Sequence, residues 1–345
     1  MRFYTLKLFF LFCIAGYGQE SFKFVNYTTI NGLADNRVLC MTQDSRGFMW
    51  FGTSEGLSRF DGNKFENYFA DPRTSNSLPD NMITSIYEYK SGHIAFVAGA
   101  TLYCLNTFTR QFYSPPFAVD KKIYALTKSG KSGYLISCID SCFILNDQLQ
   151  IIDTLPTPLI AKGKVAISWY LDKNHILIGH HNEYHVFNRS ERRYSQLLSE
   201  EDMPLKEKIL EFRYYDSTNQ LLYFINYFEG IYAYDLSGKL VSIRAVDGHS
   251  LPFYNGNISF ISPKNDSICW IGSAEGQGLA ILNTRTNRSI HLKADPNNPY
   301  ALVSNSLLTA YTDKEGNEWI GTSNGISKLN GNSFSDALGN ALRHP

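Results

Sequence analysis

The stretch Gly47–Asp61, GFMWFGTSEGLSRFD, decides the fold of this 345-residue chain. It predicts a β-hairpin with an aromatic strand at Phe48–Thr53, a turn at Ser54–Gly56 and a return strand at Leu57–Phe60. Gly56 can adopt the positive φ that a tight turn of this kind requires. The hairpin is therefore the unit to look for in the rest of the chain.

The same phrase recurs near the other end of the chain. Gly316–Asn330 reads GNEWIGTSNGISKLN, and Cys269–Asn283 reads CWIGSAEGQGLAILN, with two extra residues in the turn. Weaker copies lie between them, so that seven repeats follow one another at intervals of about 40–49 residues. This period accommodates four short strands and their turns, which make one propeller blade. The sequence therefore predicts an all-β, seven-bladed β-propeller of four-stranded antiparallel blades.

An N-terminal strand is predicted to close the ring. The first blade places strands at Val38–Thr42 and Phe65–Phe69 on either side of the hairpin. The segment Phe22–Tyr27 resembles the fourth strand of that blade, although no blade precedes it. We expect Phe22–Tyr27 to complete the last blade as its outer strand, which removes an open sheet edge. The alternative is a short strand that pairs only locally.

The start of the chain predicts export. A basic beginning precedes the apolar run Leu8–Ala15 and the small residues of Gly16–Gly18, as in a signal peptide. The apolar run is too short to cross a bilayer, and no later stretch predicts a membrane span. The expected domains are a signal peptide at 1–18, the propeller at 19–334 and a tail, or the truncated start of a further domain, at 335–345.

Two groups of residues are predicted to serve packing. Trp50, Trp270 and Trp319 recur at one strand position, so we expect them to pack between blades. The cysteines after the signal peptide are predicted to be mainly small buried side chains. Cys138 and Cys142 flank a turn, so a pairing across a hairpin is the alternative for these two.

Catalytic and metal-binding motifs do not stand out in the sequence. His180, His181 and His185 surround one turn, but no carboxylate or cysteine completes a metal set, which favours exposed turn histidines. The acidic run Glu200–Asp202 reads as a solvated linker rather than a glycosidase pair. Basic and acidic side chains balance at 32 each, which gives no indication of a nucleic-acid partner. We expect no cofactor and no metal, with a propeller hydrolase, lyase or quinone enzyme as the alternative.

The segment 31–62 resembles the two-component-regulator propeller repeat. The family phrase has a GL-S/A-x-N opening, a QDxxGxxWxGT strand and a GLxRFDG turn, and this chain reads GLADN, QDSRGFMWFGT and GLSRFDG. Repeats six and seven keep the core of the phrase at Trp270 and Trp319, while repeats two to five keep its spacing. The resemblance covers residues 22–334.

This resemblance implies the periplasmic sensor region of a hybrid two-component histidine kinase of the Bacteroides type. In such receptors the propellers precede a membrane helix and a kinase, and many members sense oligosaccharides. The resemblance thus implies an oligosaccharide ligand and a homodimer formed through the full-length receptor. Any kinase activity would reside outside this chain, which itself is expected not to be an enzyme. A secreted protein-interaction propeller is the non-catalytic alternative.

A ligand is expected at one end of the ring, where the turns between second and third strands meet the linkers between blades. Sugar rings stack on aromatic side chains, and their hydroxyls pair with amides and carboxylates. The candidate ligand-binding residues at this end are His180, His181, Asn182, Tyr227, Phe228, Glu229, Tyr254, Glu275, Gln277 and Asn324, with Glu55, His249 and Phe253 beside them.

Overall fold

The computed structural model shows a ring of β-sheets. It describes residues 22–119, 121–128, 133–138, 141–155, 167–180, 183–199, 210–226, 230–245, 258–286 and 288–331. Across these residues, 28 strands form seven four-stranded sheets whose neighbouring strands run antiparallel. The predicted all-β, seven-bladed propeller is therefore confirmed.

Each blade follows the chain from its inner strand to its outer strand. Blade one has β2 (Val38–Gln43), β3 (Met49–Thr53), β4 (Gly56–Phe60) and β5 (Phe65–Tyr68); blade two has β6 (Ile83–Lys90), β7 (His93–Ala98), β8 (Thr101–Asn106) and β9 (Gln111–Tyr113); blade three has β10 (Ile123–Lys128), β11 (Tyr134–Cys138), β12 (Cys142–Leu145) and β13 (Ile151–Leu155). Blade four has β14 (Ile167–Tyr170), β15 (His175–His180), β16 (Glu183–Asn188) and β17 (Arg193–Leu198); blade five has β18 (Glu211–Asp216), β19 (Leu221–Asn226), β20 (Gly230–Asp235) and β21 (Leu240–Ala245). Blade six has β22 (Ile258–Pro263), β23 (Ile268–Ser273), β24 (Leu279–Asn283) and β25 (Arg288–Leu292); blade seven has β26 (Leu307–Thr312), β27 (Glu318–Thr322), β28 (Gly325–Leu329) and β1 (Phe24–Tyr27). Short 3-10 turns at Thr29–Asn31 and Pro116–Ala118 lie outside the sheets.

The first strands of adjoining blades contact one another, as β2 does with β6 and β26, which makes them the inner strands.

The ring is closed by β1. This strand pairs antiparallel with β28, with Phe24 opposite Leu329 and Tyr27 opposite Ile326. It is the fourth strand of a sheet whose order is β1-β28-β27-β26. The predicted closure is confirmed, and the alternative of a strand paired only locally is wrong. The strand is shorter at its start than predicted, although Phe22 before it is still buried.

The first hairpin differs from its prediction by one residue at each of two places. Thr53 lies opposite Gly56 in the register, so the turn is Ser54–Glu55 and Gly56 begins the return strand with a φ of 132°. Phe48 belongs to the preceding turn instead of the strand. Its carbonyl oxygen accepts from the N–H of Asp44 at 2.9 Å, and its own N–H donates to the Asp44 carboxylate at 3.0 Å. A side chain that closes the turn therefore delays the start of the strand.

The recurring tryptophans pack between blades, as predicted. Trp50 is fully buried in an apolar cluster with Ile83 of blade two. Trp270 of blade six lies in a cluster that extends into blade seven. Trp319 of blade seven meets Phe51 of blade one, with ring centroids 5.5 Å apart. Such large aromatic surfaces fill the space between twisted sheets, so each blade needs its neighbours.

The cysteines are mostly buried, as predicted. Cys104, Cys138, Cys142 and Cys269 have almost no exposed surface. Cys142 lies opposite Ser137 in the strand register and is a free thiol, so the alternative of a bridge between Cys138 and Cys142 is wrong. Burial raises the pKa of the Cys104 and Cys142 thiols to about 12. Thiols of this kind behave as small apolar side chains.

The two ends of the ring carry different connections. The linker end is formed by turns such as Ser54–Glu55 and by linkers such as Asp71–Asn81. The hairpin end is formed by turns such as Asp44–Gly47 and Asp61–Lys64. Strand β28 runs from the linker end to the hairpin end, so the chain leaves blade seven at the hairpin end.

Candidate functional site

Three of the predicted polar residues occupy one turn position of adjoining blades. Glu275, Asn324 and Glu55 follow the second strands of blades six, seven and one, at the linker end. The backbone N–H of each residue donates to the hydroxyl two residues earlier, at 3.2, 2.9 and 3.2 Å respectively. All three residues are exposed. The fold therefore presents two carboxylates and an amide to solvent in a regular series.

Of the other predicted ligand-binding residues, Gln277 and His180 lie among the described residues. Gln277 is half-buried, and its carbonyl oxygen lies within hydrogen-bonding distance of His291 Nε2. His180 ends β15, opposite Glu183 in the register. The remaining predicted residues lie outside the described residues: His181, Asn182, Tyr227, Phe228, Glu229 and Tyr254, together with His249 and Phe253.

Recurring asparagines fasten the linkers at this end. Asn36, Asn81 and Asn305 each stand shortly before the first strand of a blade. Their Oδ1 atoms accept from a backbone N–H near the start of the same linker, at 2.8, 2.7 and 2.7 Å. Their carbonyl oxygens accept from a glycine N–H in the preceding blade, at 2.6, 2.8 and 2.8 Å; these glycines are Gly325, Gly56 and Gly278 respectively. The asparagine of the GL-S/A-x-N phrase thus ties consecutive blades together.

We expect Asn81→Ala to lower the free energy of unfolding by about 0.5–1.5 kcal/mol, the net contribution of an intramolecular hydrogen bond. The variant leaves the Ala70 N–H, at 2.7 Å from Asn81 Oδ1, without its acceptor, and it also removes the weaker, exposed bond of 3.3 Å from Asn81 Nδ2 to the Glu55 carboxylate. Urea unfolding of the chain measures the loss. Asn63→Ala is the matched control, because Asn63 is an exposed turn residue whose side chain binds no described group. Equal losses in the two variants would show that the side-chain hydrogen bonds of Asn81 have no energetic role.

A second recurring contact joins an acid to the buried tryptophan of its blade. The carboxylates of Asp44 and Asp313 accept from the indole N–H six residues later, at 3.0 and 2.7 Å. In blade six a lysine, Lys264, stands at this position, with Nζ 4.8 Å from the centroid of the Trp270 ring. Lys264 Nζ also lies 2.6 Å from an oxygen of Glu318 in blade seven, and both side chains are 4% exposed. Burial lowers the pKa of Lys264, and Glu318 acts in the opposite direction.

An inter-blade cleft of about 330 Å³ lies between blades five and six. Ile231 of blade five lines it together with Ile261, Ile271 and Leu282 of blade six, all of them buried. This volume lies near the lower limit of the roughly 300–1,000 Å³ found for small-molecule sites. The cleft is therefore large enough for one small ligand.

The rim of the inter-blade cleft is polar and lies at the hairpin end. Asn219 follows β18, Asn265 and Asp266 follow β22, and Thr284 follows β24. All four residues are exposed. No sequence motif marks this cleft, because its walls come from two blades and its rim consists of ordinary turn residues. The available signal was the coincidence of polar residues in the corresponding turns of adjoining blades.

Neither a cluster of metal ligands nor a candidate membrane-spanning helix is found among the described residues. Among these residues, no three His, Cys, Asp or Glu side chains are arranged to hold a metal ion. No helix within the same residues has the length and apolar character that a membrane crossing requires.

Two solved structures, among others, share the propeller fold with this chain. The extracellular domain of a hybrid two-component system from B. thetaiotaomicron aligns with 89% of this chain at a TM-score of 0.69 and 20% identity, and the chain covers 42% of it. Virginiamycin B lyase from Staphylococcus aureus aligns with 90% of this chain at a TM-score of 0.65 and 14% identity, and the chain covers 99% of it. At these identities the likeness shows the fold alone.

Sequence similarity is more specific but shorter. The chain is 37% identical to Histidine kinase P4 of Formosa agariphila over 76 residues, which are 22% of this chain and 6% of that protein. The two-component regulator propeller family matches residues 32–55, the region where the motif resemblance is strongest. Residues 32–55 therefore match the two-component regulator propeller repeat, in the region where the sequence predicted the resemblance.

Proposed function

We propose that this chain is the ligand-sensing propeller of a two-component receptor, exported to the periplasm by the signal peptide predicted at residues 1–18. The observation that carries the proposal is the two-component regulator propeller repeat at residues 32–55. The similarity to a histidine kinase and the extracellular setting of a structural neighbour support it. We assign the kinase, and the contacts that form a homodimer, to the rest of such a receptor.

The proposed ligand is an oligosaccharide bound at the linker end. Glu275, Asn324 and Glu55 stand at one turn position of three adjoining blades and are exposed. Carboxylates accept hydrogen bonds from sugar hydroxyls, and an amide both donates and accepts them. A series of similar polar groups along several blades suits an extended chain of sugar rings better than a single ring. The predicted aromatic residues at this end would add stacking surfaces.

Signalling follows if the oligosaccharide binds one arrangement of the receptor more tightly than another. A ligand shifts a conformational equilibrium only by its difference in affinity for the two states. We expect the bound propeller to favour the arrangement of a receptor dimer that activates the kinase. The lyase shares only its fold with this chain, so we propose no reaction for this chain.

The proposal is tested by titrating the chain with a panel of neutral oligosaccharides in a calorimeter. We expect the triple variant Glu55→Ala/Glu275→Ala/Asn324→Ala to bind its best oligosaccharide at least about tenfold more weakly. This loss corresponds to about one hydrogen bond to a charged group. The control is Glu191→Ala/Asn63→Ala, which removes exposed polar side chains away from the linker end.

Two results would contradict the proposal. If no oligosaccharide of the panel binds, the alternative of a protein-interaction propeller is favoured. If an oligosaccharide binds equally well to the triple variant and to the control, the linker-end assignment is wrong even though the sensing function stands.

A further inference from the structure

We propose that the inter-blade cleft is a second ligand site, suited to an amino sugar of monosaccharide size with a protonated amine. It opens at the hairpin end, whereas the oligosaccharide site proposed above lies at the linker end. The second site goes beyond the proposed sensing function and does not depend on it.

Aromatic rings line one side of the cleft. Tyr214 and Tyr223 come from the two inner strands of blade five, with ring centroids 6.1 Å apart and ring planes inclined by 34°. Both residues are half-buried, so part of their surface is available to an occupant. Aromatic faces receive the C–H face of a sugar ring, and they also attract a cation.

The cleft carries negative charge that the described residues do not balance. Asp266 is exposed, and its carboxylate has no hydrogen bond or ion pair with any described residue. Asp216 accepts from the backbone of its own turn and from an amide, none of which neutralises its charge. Lys264 also lines the cleft, but its ammonium group is paired with Glu318 at 2.6 Å. An amine is therefore attracted to the rim, and a carboxylate is repelled.

Polar groups at the rim provide partners for hydroxyls. The Oδ1 atom of Asn265 accepts from two backbone N–H groups, at 3.0 and 2.9 Å, which fixes the amide at the mouth of the cleft. Its amide nitrogen donates to no described group and can donate to a ligand. Thr284 adds a hydroxyl on the same rim. With a volume of about 330 Å³, the cleft suits a single ring with these substituents better than a longer chain.

The test compares three sugars of similar size by calorimetric titration of the chain: glucosamine, glucose and glucuronate. We expect glucosamine to bind most tightly and glucuronate at least about tenfold more weakly, because the acidic rim attracts the ammonium group of glucosamine and repels the carboxylate of glucuronate. We expect Asp266→Asn to weaken glucosamine binding about tenfold, the effect of one lost charge-assisted hydrogen bond.

Asp147→Asn is the matched control. Asp147 is an exposed acid in a hairpin-end turn of blade three, and it does not line the cleft. An unchanged urea midpoint for both variants will show that the fold is intact. The proposal is overturned if glucosamine does not bind at millimolar concentration, if glucuronate binds equally well, or if Asp266→Asn and Asp147→Asn have equal effects.

The proposals for the two sites can be tested independently of each other. The linker-end triple variant is expected to leave glucosamine binding unchanged, and Asp266→Asn is expected to leave oligosaccharide binding unchanged. Loss of both activities in either variant would contradict the assignment of two sites at opposite ends.

Discussion

Phe24→Ala is expected to lower the free energy of unfolding by about 3–5 kcal/mol, the range for removal of a buried phenylalanine side chain. Phe24 is 2% exposed and packs in a cluster with Trp270, Leu307 and Ile320 of blades six and seven. The large effect is expected because the substitution leaves a cavity at the closing strand β1, where the Phe24 side chain packs against blades six and seven. Urea unfolding, monitored by tryptophan fluorescence, measures the change in the free energy of unfolding.

Val25→Ala provides the control for this prediction. Val25 is the next residue of the same strand, and it is 48% exposed because its side chain points away from the core. We expect Val25→Ala to lower the free energy of unfolding by no more than about 0.5–1 kcal/mol. Both variants keep the backbone pairing with β28, so their difference isolates the packing of Phe24. Similar losses for the two would mean that the packing of Phe24 makes no special contribution to the stability of the closed ring.

The second large effect concerns the buried ion pair between blades six and seven. Glu318→Ala is expected to lower the free energy of unfolding by about 3–5 kcal/mol, because it leaves the Lys264 ammonium buried without its counter-charge. The hydroxyl of Thr312, 3.1 Å from Lys264 Nζ, cannot replace a carboxylate. The same urea experiment measures this loss. Arg73→Ala is the control, since Arg73 is 87% exposed and pairs with Asp71 at the surface; its loss should stay below about 1 kcal/mol.

A double variant tests the physical reason. Lys264→Met/Glu318→Leu removes both charges and fills their space with apolar side chains of similar size. We expect it to be clearly more stable than Glu318→Ala and close to the natural chain, because neither charge is then left unpaired. If the double variant loses as much as Glu318→Ala, packing volume and not charge pairing explains the first result.

The candidate site at the linker end was only partly predictable. The repeat alignment placed Glu275 and Asn324 in equivalent turns, and the structure has them there. The sequence showed the asparagine of the GL-S/A-x-N phrase but not its partner. Asn81 meets Gly56 across 25 positions of the chain, and Asn36 meets Gly325 across 289. Such partners depend on how blades are placed side by side.

By itself, the sequence determined the number of blades, the hairpin in each blade and the closing strand. These features follow from local patterns: the alternation of strands and turns, the repeat period and a fourth strand without a blade before it. Only the tertiary structure decided the inter-blade cleft and the pair of Lys264 with Glu318. Both depend on which side chains adjoining blades bring together, and on how far those side chains are removed from water. The energy of a buried charge or an open cavity is set by these neighbours, which no single repeat specifies.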